Sequence, residues 1–344
     1  IFYTYSEAKC SHYREFSLFA IISIKYFKGD VFMQTEVNTN PAPKSSKKTS
    51  WKVWWELTRP HTLTAAFVPV LIGTALALQY NNGIHIPLFI AMLVACLLIQ
   101  AATNMFNEYY DFKRGLDTEH SVGIGGAIVR EGVAPKTVLS IAFSLYAIAI
   151  LFGLYICIQT SWWLAVIGLI GMAVGYLYTG GPYPISYTPF GEIFAGFFMG
   201  MLFILIAFYI QTGEVTMLAV LISIPITILV GAILLSNSIR DIDEDTVGGR
   251  TTLAILLGKK NAIIFLAGMF VLAYLIIVIL VVIQLVSPWL LIVFLSVRKP
   301  IYAITIFKAG KTPKEMAPAM GATAKTNTIF GFLLASGIFI SYFI

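Results

Sequence analysis

Two stretches of the chain gather carboxylate and amide side chains directly after long apolar runs: Asn104–Asp117 and Asn237–Asp245. In each stretch an asparagine precedes an aspartate by four residues, a spacing that places both side chains on one face of a helix. Such polar groups are costly at the mouth of a membrane helix, which favours a functional explanation over a structural one. Carboxylate and amide oxygens suit Mg²⁺, which proteins commonly hold with one or two carboxylates together with substrate phosphates.

Basic side chains near these stretches exceed what the metal-binding carboxylates would require. They are Lys113, Arg114, Arg130, Arg240 and Arg250. We therefore expect an anionic ligand, and a diphosphate on a lipid fits, because its head would lie at the mouth and its chain among apolar helices. The glycine-rich string 123–130 supports this expectation, since glycine lets backbone N–H groups approach an anion. Its Arg130 either contacts that anion or is a solvated loop arginine.

The composition is that of an integral membrane protein. Of 344 residues, 58% are hydrophobic and 12% are charged, and the mean hydropathy is +0.84, whereas soluble domains carry about 25% charged residues. Apolar windows long enough to cross a bilayer are residues 62–80, 84–106, 136–157, 161–180, 190–211, 216–238, 260–284, 286–307 and 324–344. We therefore predict an all-α membrane protein with about nine transmembrane helices. Arg298 and Lys299 interrupt the eighth window, where they either extend to the membrane surface or face a cavity.

The distribution of Lys and Arg predicts the orientation of the chain. Basic residues concentrate before the first window and in the connections that follow the second, sixth and eighth windows. The positive-inside rule then places the N-terminus and both acidic stretches on the cytoplasmic side, and nine crossings place the C-terminus outside. The net charge of +6 is thus a topology signal rather than a nucleic-acid-binding surface. Three unevenly spaced cysteines imply neither a disulfide framework nor a zinc site.

The first 50 residues differ from the rest of the chain and are predicted to be a leader or disordered arm. Residues 1–32 contain no signal-peptide cleavage site, and Lys28–Asp30 fits a translated bacterial ribosome-binding site. We therefore hypothesise that Met33 is the native start, which mass spectrometry of the natural N-terminus would test. Residues 51–344 are predicted to form one transmembrane domain of a bacterial plasma membrane, with two pseudo-repeated halves that each carry an acidic stretch.

Three further side chains lie at the predicted membrane boundary. Arg59 precedes the first crossing, Tyr178 lies at the end of the fourth, and Tyr183 follows it. Arg59 either anchors the helix at the membrane surface or faces the ligand. Tyrosines at this depth commonly form an interfacial belt, but the tight Gly-Gly-Pro turn between these two favours a shaped cap.

The paired motifs resemble those of the UbiA-type intramembrane prenyltransferase superfamily. The shared patterns are Asn107-x-x-x-Asp111-x-x-x-x-x-Asp117 on the second crossing and Asn237-x-x-Arg240-Asp241-x-x-x-Asp245 on the sixth. The resemblance runs from about residue 51 to the C-terminus. Within that superfamily, the five residues between Asp111 and Asp117 and the Tyr-Thr-Gly-Gly-Pro-Tyr string resemble the menaquinone branch, whose members prenylate 1,4-dihydroxy-2-naphthoate.

The resemblance implies a helical bundle with a cytoplasm-facing cavity and an Mg²⁺-dependent reaction. The implied catalytic residues are Asp111, Asp117, Asp241 and Asp245, and the implied metal ligands are these four with Asn107 and Asn237. The implied substrate-binding residues are Lys113, Arg114, Arg130 and Arg240 on the diphosphate, Tyr178 and Tyr183 beside the allylic cation, and Arg59 and Asn104 on the aromatic acid. The naphthoate ring would attack the allylic cation and lose CO₂, which gives demethylmenaquinol. The expected partners are thus the polyprenyl diphosphate, the aromatic acid and the lipid bilayer, without an obligate protein partner or nucleic acid.

Three alternatives stay open: 4-hydroxybenzoate prenylation, haem farnesylation and, from a different class, cation-coupled transport. Enzymes of the 4-hydroxybenzoate type tend to have a lysine in the loop after the fourth crossing, whereas this chain has none between Lys136 and Lys259. A transporter is disfavoured because both acidic stretches lie at one end of the crossings rather than near the midplane.

Overall fold

A computed structural model describes residues 51–117 and 126–344. The predicted N-terminal arm and residues 123–125 of the glycine-rich string lie outside these residues. The described elements are α1 (Trp51–Leu57), α2 (Pro60–Asn81), α3 (Ile86–Lys113), α4 (Ala127–Glu131), α5 (Pro135–Gln159), α6 (Trp163–Leu177), α7 (Gly191–Thr212), α8 (Met217–Arg240), α9 (Ile242–Val247), α10 (Leu253–Val282), α11 (Arg298–Ala309) and α12 (Pro313–Phe343). A 3₁₀ segment, Pro288–Ser296, precedes α11.

The predicted all-α membrane architecture is confirmed. Within the described ranges, eight helical segments are long and apolar enough to cross a membrane, with the 3₁₀ segment and α11 counted as one crossing. The fourth predicted crossing is the shorter apolar helix α6, which has 15 residues. Each of the nine apolar windows therefore corresponds to a helix of the bundle.

Three helices extend well beyond their hydropathy windows, and one of them, α10, begins at Leu253 instead of residue 260. α3 continues through the first acidic stretch to Lys113, as the shared face of its polar residues requires. α12 begins at Pro313 instead of residue 324, because a hydropathy window detects only the apolar part of a helix. Thr312 caps this polar beginning by accepting the N–H of Glu315 at 3.4 Å.

The chain turns sharply between the amphipathic helix α1 and the first crossing. Arg59 has a φ of 51°, a left-handed conformation that is uncommon for a residue with a side chain. Pro60 follows at the first turn of α2, where its missing N–H leaves no helical hydrogen bond unmade. Pro60 thus favours the start of α2 at this point, directly beside the site.

Close contacts between α2, α7 and α8 depend on glycine. A Cβ atom on Gly73 would lie 2.4 Å from the carbonyl oxygen of Ile204, and one on Gly200 would lie 2.6 Å from the Cα of Thr227. Small residues allow membrane helices to approach in this way. Within α7, Gly196–Leu202 is π-helical, and such turns often occur at functional sites. This segment borders the cavity that holds the predicted site.

Candidate active site

A cavity of about 490 Å³ opens where the two acidic stretches meet. Its mouth is polar, and its inner wall is formed by apolar side chains of α3, α5, α6 and α7. Along α3 alone the lining runs from Met92 to Asp111, 19 residues that cover about 28 Å at 1.5 Å per residue. The cavity thus extends through most of a hydrocarbon core of about 30 Å. A ligand with a charged head and a long apolar tail matches this shape.

Arg250 joins the two acidic stretches at the mouth. Its guanidinium donates to Oδ1 of Asp111 at 2.7 Å and to Oδ1 of Asp245 at 2.9 Å. Asn107 donates to the other oxygen of Asp111 at 3.0 Å. Burial would lower the pKa of Arg250, but the two carboxylates more than offset burial and raise it. The two stretches therefore meet at the mouth, with a protein cation between these two carboxylates.

Asp241 pairs with a different arginine, Arg240, and takes no part in the Arg250 bridge. Arg240 donates through Nε to Asp241 at 2.6 Å, and its Nη1 lies 2.9 Å from the sulfur of Met320. Arg240 is buried, so this contact holds it at the cavity wall. Both Arg240 and Asp241 line the mouth, as the sequence predicts.

Two candidate metal ligands keep a buried oxygen without a hydrogen-bond partner among the described residues. They are Asp117, through Oδ2, and Asn237, through Oδ1, and both line the mouth. Burial raises the pKa of Asp117 to about 7, and the carboxylates of Asp111 and Glu108 add to this effect. Burial also raises the pKa of Asp245, to about 6. A bound divalent cation would favour the ionised carboxylates and satisfy the unpaired oxygens.

The donor set therefore fits Mg²⁺ held together with a ligand. Within residues 51–117 and 126–344, no group of three or more His, Cys, Asp or Glu side chains is arranged to hold a metal ion. Mg²⁺ dehydrates reluctantly and commonly takes one or two carboxylates together with substrate phosphates. A mouth that pairs acidic side chains with unpartnered oxygens suits this shared form of binding.

Asn104 and Arg59 line the cavity, and each also contacts protein groups. Asn104 donates to the carbonyl oxygen of Thr58 at 2.8 Å and to the hydroxyl of Thr62 at 2.9 Å, which ties α3 to the turn before α2. Arg59 lies 3.7 Å from Oε2 of Glu108, a carboxylate that is 1% exposed. These contacts place both side chains where α2 and α3 meet at the mouth.

The remaining predicted substrate-binding residues differ in position. Tyr178 lines the cavity. Lys113, Arg130 and Tyr183 are exposed and lie outside the cavity lining. Arg114 donates to two backbone carbonyls of the loop that follows α6, so it holds that loop. Their predicted roles toward substrate stay predictions.

Two side chains absent from the predicted site are central to its geometry. Arg250 bridges the stretches, and Glu108 accepts the N–H groups of Gly126 at 2.7 Å and Ile128 at 3.3 Å. The sequence contained a signal for each. Glu108 lies in the first acidic stretch, on the same helix as the predicted ligands, and Arg250 follows Asp245 in the same order of acids, glycines and arginine that the first loop shows.

Known proteins share both the sequence pattern and the fold. Residues 66–329 match the UbiA prenyltransferase family. A Bacillus subtilis (strain 168) protein named 1,4-dihydroxy-2-naphthoate octaprenyltransferase is 61% identical over 86% of this chain and 95% of its own length. The Mycobacterium tuberculosis protein of the same name is 27% identical over 84% of this chain and 97% of its own.

Solved structures confirm the predicted UbiA-like fold. A UbiA homolog from Archaeoglobus fulgidus, bound to DMAPP and Mg²⁺, superposes with a TM-score of 0.55 at 16% identity, covering 82% of this chain and 99% of that one. An apo UbiA homolog from Aeropyrum pernix K1 has a TM-score of 0.58 at 16% identity, covering 82% of this chain and 98% of that one. These likenesses concern the arrangement of the helices.

Proposed function

The chain belongs to the UbiA prenyltransferase family, and we propose that it transfers a polyprenyl group from a polyprenyl diphosphate to 1,4-dihydroxy-2-naphthoate in menaquinone synthesis. The observation that carries this proposal is the cavity, whose charged mouth leads into a long apolar interior. The 61% identity to the Bacillus subtilis protein supports this choice of aromatic acceptor. The chain would work as a multi-pass protein of a bacterial plasma membrane, with the mouth facing the cytoplasm.

The diphosphate would bind at the mouth together with Mg²⁺. The residues proposed to hold the metal are Asn107, Asp111, Asp117, Asn237, Asp241 and Asp245. Bound Mg²⁺ would neutralise the negative charge that develops on the departing diphosphate. Arg240 and Arg250 pair with three of these carboxylates, and both arginines would bind the phosphates of the substrate. Positioned cations of this kind stabilise the leaving group in a water-poor site.

The apolar wall and Tyr178 would protect the reactive carbon. Breaking the allylic C–O bond sends its electron pair to the diphosphate and leaves an allylic cation. The apolar interior excludes water from that cation, and the ring of Tyr178 offers it a π face. Arg59 and Asn104 would orient the aromatic carboxylate. The ring carbon that bears this carboxylate then forms the new C–C bond, and the C–CO₂ bond breaks, which returns its electron pair to the ring and releases CO₂.

An assay with two acceptors tests this proposal. Purified protein would be incubated with Mg²⁺, a polyprenyl diphosphate and either carboxyl-labelled 1,4-dihydroxy-2-naphthoate or carboxyl-labelled 4-hydroxybenzoate. We expect labelled CO₂ and a prenylated naphthoquinol from the first acceptor. Prenylated hydroxybenzoate that retains its label would instead assign the chain to another branch of the family, and no turnover with either acceptor would refute both assignments.

Matched variants locate the chemistry within the chain. Asp111→Asn and Asp241→Asn are expected to lose turnover by at least about 100-fold, since each removes a charge on which metal binding depends, while the folded protein is retained. Asp243→Asn is the control, because Asp243 lies on α9 in the second stretch but is exposed and outside the cavity lining. Equal activity in all three variants would contradict the metal assignment.

A further inference from the structure

Three basic side chains of the last two helices are exposed and lie outside the cavity. Arg298 and Lys299 begin α11, and Lys325 lies within α12. All three are exposed, and none lines the cavity. Of the two roles that the sequence left open for Arg298 and Lys299, the structure therefore excludes a position in the cavity wall.

Glycine contacts establish the register between these two helices. Gly310 packs against the side chain of Met316, and Gly337 packs against the backbone at Trp289. The two chain segments are therefore antiparallel along their length. Ile301, in the first turn of α11, lies nine residues before Gly310, and Lys325 lies nine residues after Met316. Ile301 and Lys325 therefore lie opposite each other in the antiparallel pair. Because packed helices lie about 8–10 Å apart, this register places the backbones of Arg298, Lys299 and Lys325 near one another and at a similar depth in the bundle.

The surface around these side chains is apolar and faces the membrane. Leu295 is 73% exposed, Ile301 is 61% exposed and Phe332 is 43% exposed. On α12, Lys325 and Phe332 are seven residues apart and both exposed, so they lie on one helix face. Exposed apolar side chains on a membrane-crossing helix contact lipid, and the basic group thus lies on a lipid-facing surface.

The length of α12 places this group near the membrane boundary. The helix has 31 residues, which at 1.5 Å per residue extend about 46 Å, more than a hydrocarbon core of about 30 Å. Its apolar part begins near residue 324. Lys325 therefore lies at the end of the hydrocarbon core on the side of the cavity mouth, where lysine and arginine side chains reach the headgroups.

In the described part of the chain, no acidic side chain forms an ion pair with Arg298, Lys299 or Lys325. Between residues 246 and 344 the sequence has one acidic residue, Glu315, and it accepts the backbone N–H of Lys311 at 2.9 Å. An anion from outside the protein would therefore lower the electrostatic energy of these three cations.

We propose that Arg298, Lys299 and Lys325 form a binding site for the phosphate of an anionic phospholipid. Basic clusters between membrane helices at the cytoplasmic boundary attract such headgroups. The apolar side chains beside the cluster would contact the acyl chains of the same lipid. A zwitterionic phospholipid brings its own cation and would gain less. This site is separate from the cavity and does not depend on the proposed reaction.

Native mass spectrometry of the detergent-purified full chain tests the proposal with phosphatidylglycerol and phosphatidylcholine as probes. The test variant is Arg298→Gln, Lys299→Gln, Lys325→Gln. The control variant is Lys308→Gln, Lys311→Gln, Lys314→Gln, which removes the same charge from exposed positions at the connection of α11 and α12. Each basic side chain near an anionic headgroup contributes roughly a five-fold gain in affinity. We therefore expect the test variant to bind the first phosphatidylglycerol about 100-fold more weakly, and the control variant to bind it nearly as the unaltered chain does.

The controls separate a specific site from general attraction. Binding of phosphatidylcholine should be equal in all three proteins, and high salt should weaken phosphatidylglycerol binding to the unaltered chain. Equal losses in the test and control variants would overturn the proposal, because they would show attraction to the basic end of the bundle as a whole. A rise in the KM for polyprenyl diphosphate in the test variant alone would also overturn it, since the cluster would then bind substrate.

Discussion

Replacement of Arg250 by glutamine should weaken the protein without Mg²⁺ and strengthen its binding of Mg²⁺ alone. Arg250 is the shared partner of Asp111 and Asp245, at 2.7 Å and 2.9 Å. Glutamine cannot neutralise the two carboxylates, which then lie close together in a buried mouth. An Mg²⁺ ion that binds these oxygens must displace Arg250 from the unaltered protein, but it meets no such competitor in the variant.

The magnitude follows from the burial of the three groups. The side chains of Arg250, Asp111 and Asp245 are 16%, 13% and 9% exposed. Removal of one partner from a buried ion pair costs about 3–5 kcal/mol, and we take about 3 kcal/mol because the carboxylates border an open cavity. If half of this energy returns on metal binding, Mg²⁺ binds the variant about 10-fold more tightly, since about 1.4 kcal/mol corresponds to a factor of ten.

Thermal unfolding during Mg²⁺ titration measures both effects. Without Mg²⁺ the variant should melt at a lower temperature, and saturating Mg²⁺ should raise its melting temperature more than that of the unaltered chain. Turnover should fall in the same variant, because Arg250 no longer assists the departing diphosphate. Arg114→Gln is the matched control, since Arg114 directly follows α3 but lies outside the cavity lining and donates to backbone carbonyls. Weaker Mg²⁺ binding by Arg250→Gln would refute the reasoning.

Three further changes test the electrostatics, the cavity and the packing. Because burial raises the pKa of Asp117 to about 7 and that of Asp245 to about 6, above about 3.9 in the unfolded chain, the folded protein holds more protons between pH 4 and 7. Without Mg²⁺ its melting temperature should therefore fall as pH rises through this range; Asp117→Asn should reduce the fall, and a rise would contradict the argument. A Cβ atom on Gly153 or on Gly268 would meet nothing within 4 Å, but of the two only Gly153 lines the cavity. In assays with diphosphates of different length, Gly153→Phe should lower kcat/KM by at least about 10-fold for a long polyprenyl diphosphate and little for geranyl diphosphate, whereas Gly268→Phe should change neither; equal losses for both lengths would count against the cavity as the chain site. Gly73→Ala should cost about 1–3 kcal/mol of stability, seen as earlier denaturant unfolding, because its Cβ atom would lie 2.4 Å from a backbone carbonyl oxygen of α7, while Gly268→Ala should be nearly neutral.

The crossings were predictable because each apolar window is set by local composition. The same windows, with the alternation of basic connections, predicted that the two acidic stretches would lie on the same side of the membrane. Local composition does not report a change of helix type, so the windows gave no sign of the π-helical segment Gly196–Leu202 or of the 3₁₀ segment before α11.

The partner of each charge was not predictable from spacing. The two motifs look alike in sequence, yet Asp111 shares Arg250 with Asp245, whereas Asp241 is held by its neighbour Arg240. The spacing also gave no sign that Arg114 donates to two backbone carbonyls of the loop after α6. Such choices depend on which side chains converge across the bundle, and this is decided by tertiary packing.

The charges around the mouth explain why an anionic substrate should need a metal ion. The cavity is lined by five acidic side chains, Asp111, Asp117, Asp241, Glu244 and Asp245, and by three basic ones, Arg59, Arg240 and Arg250. Each of these arginines already lies within 4.0 Å of a carboxylate. A diphosphate that entered alone would add negative charge to a mouth with an acidic excess, and like charges in a buried site repel strongly. Asp111, Asp241 and Asp245 would hold divalent cations bound with the diphosphate, whose positive charge would offset this acidic excess, and Arg240 and Arg250 would then be available to the phosphates.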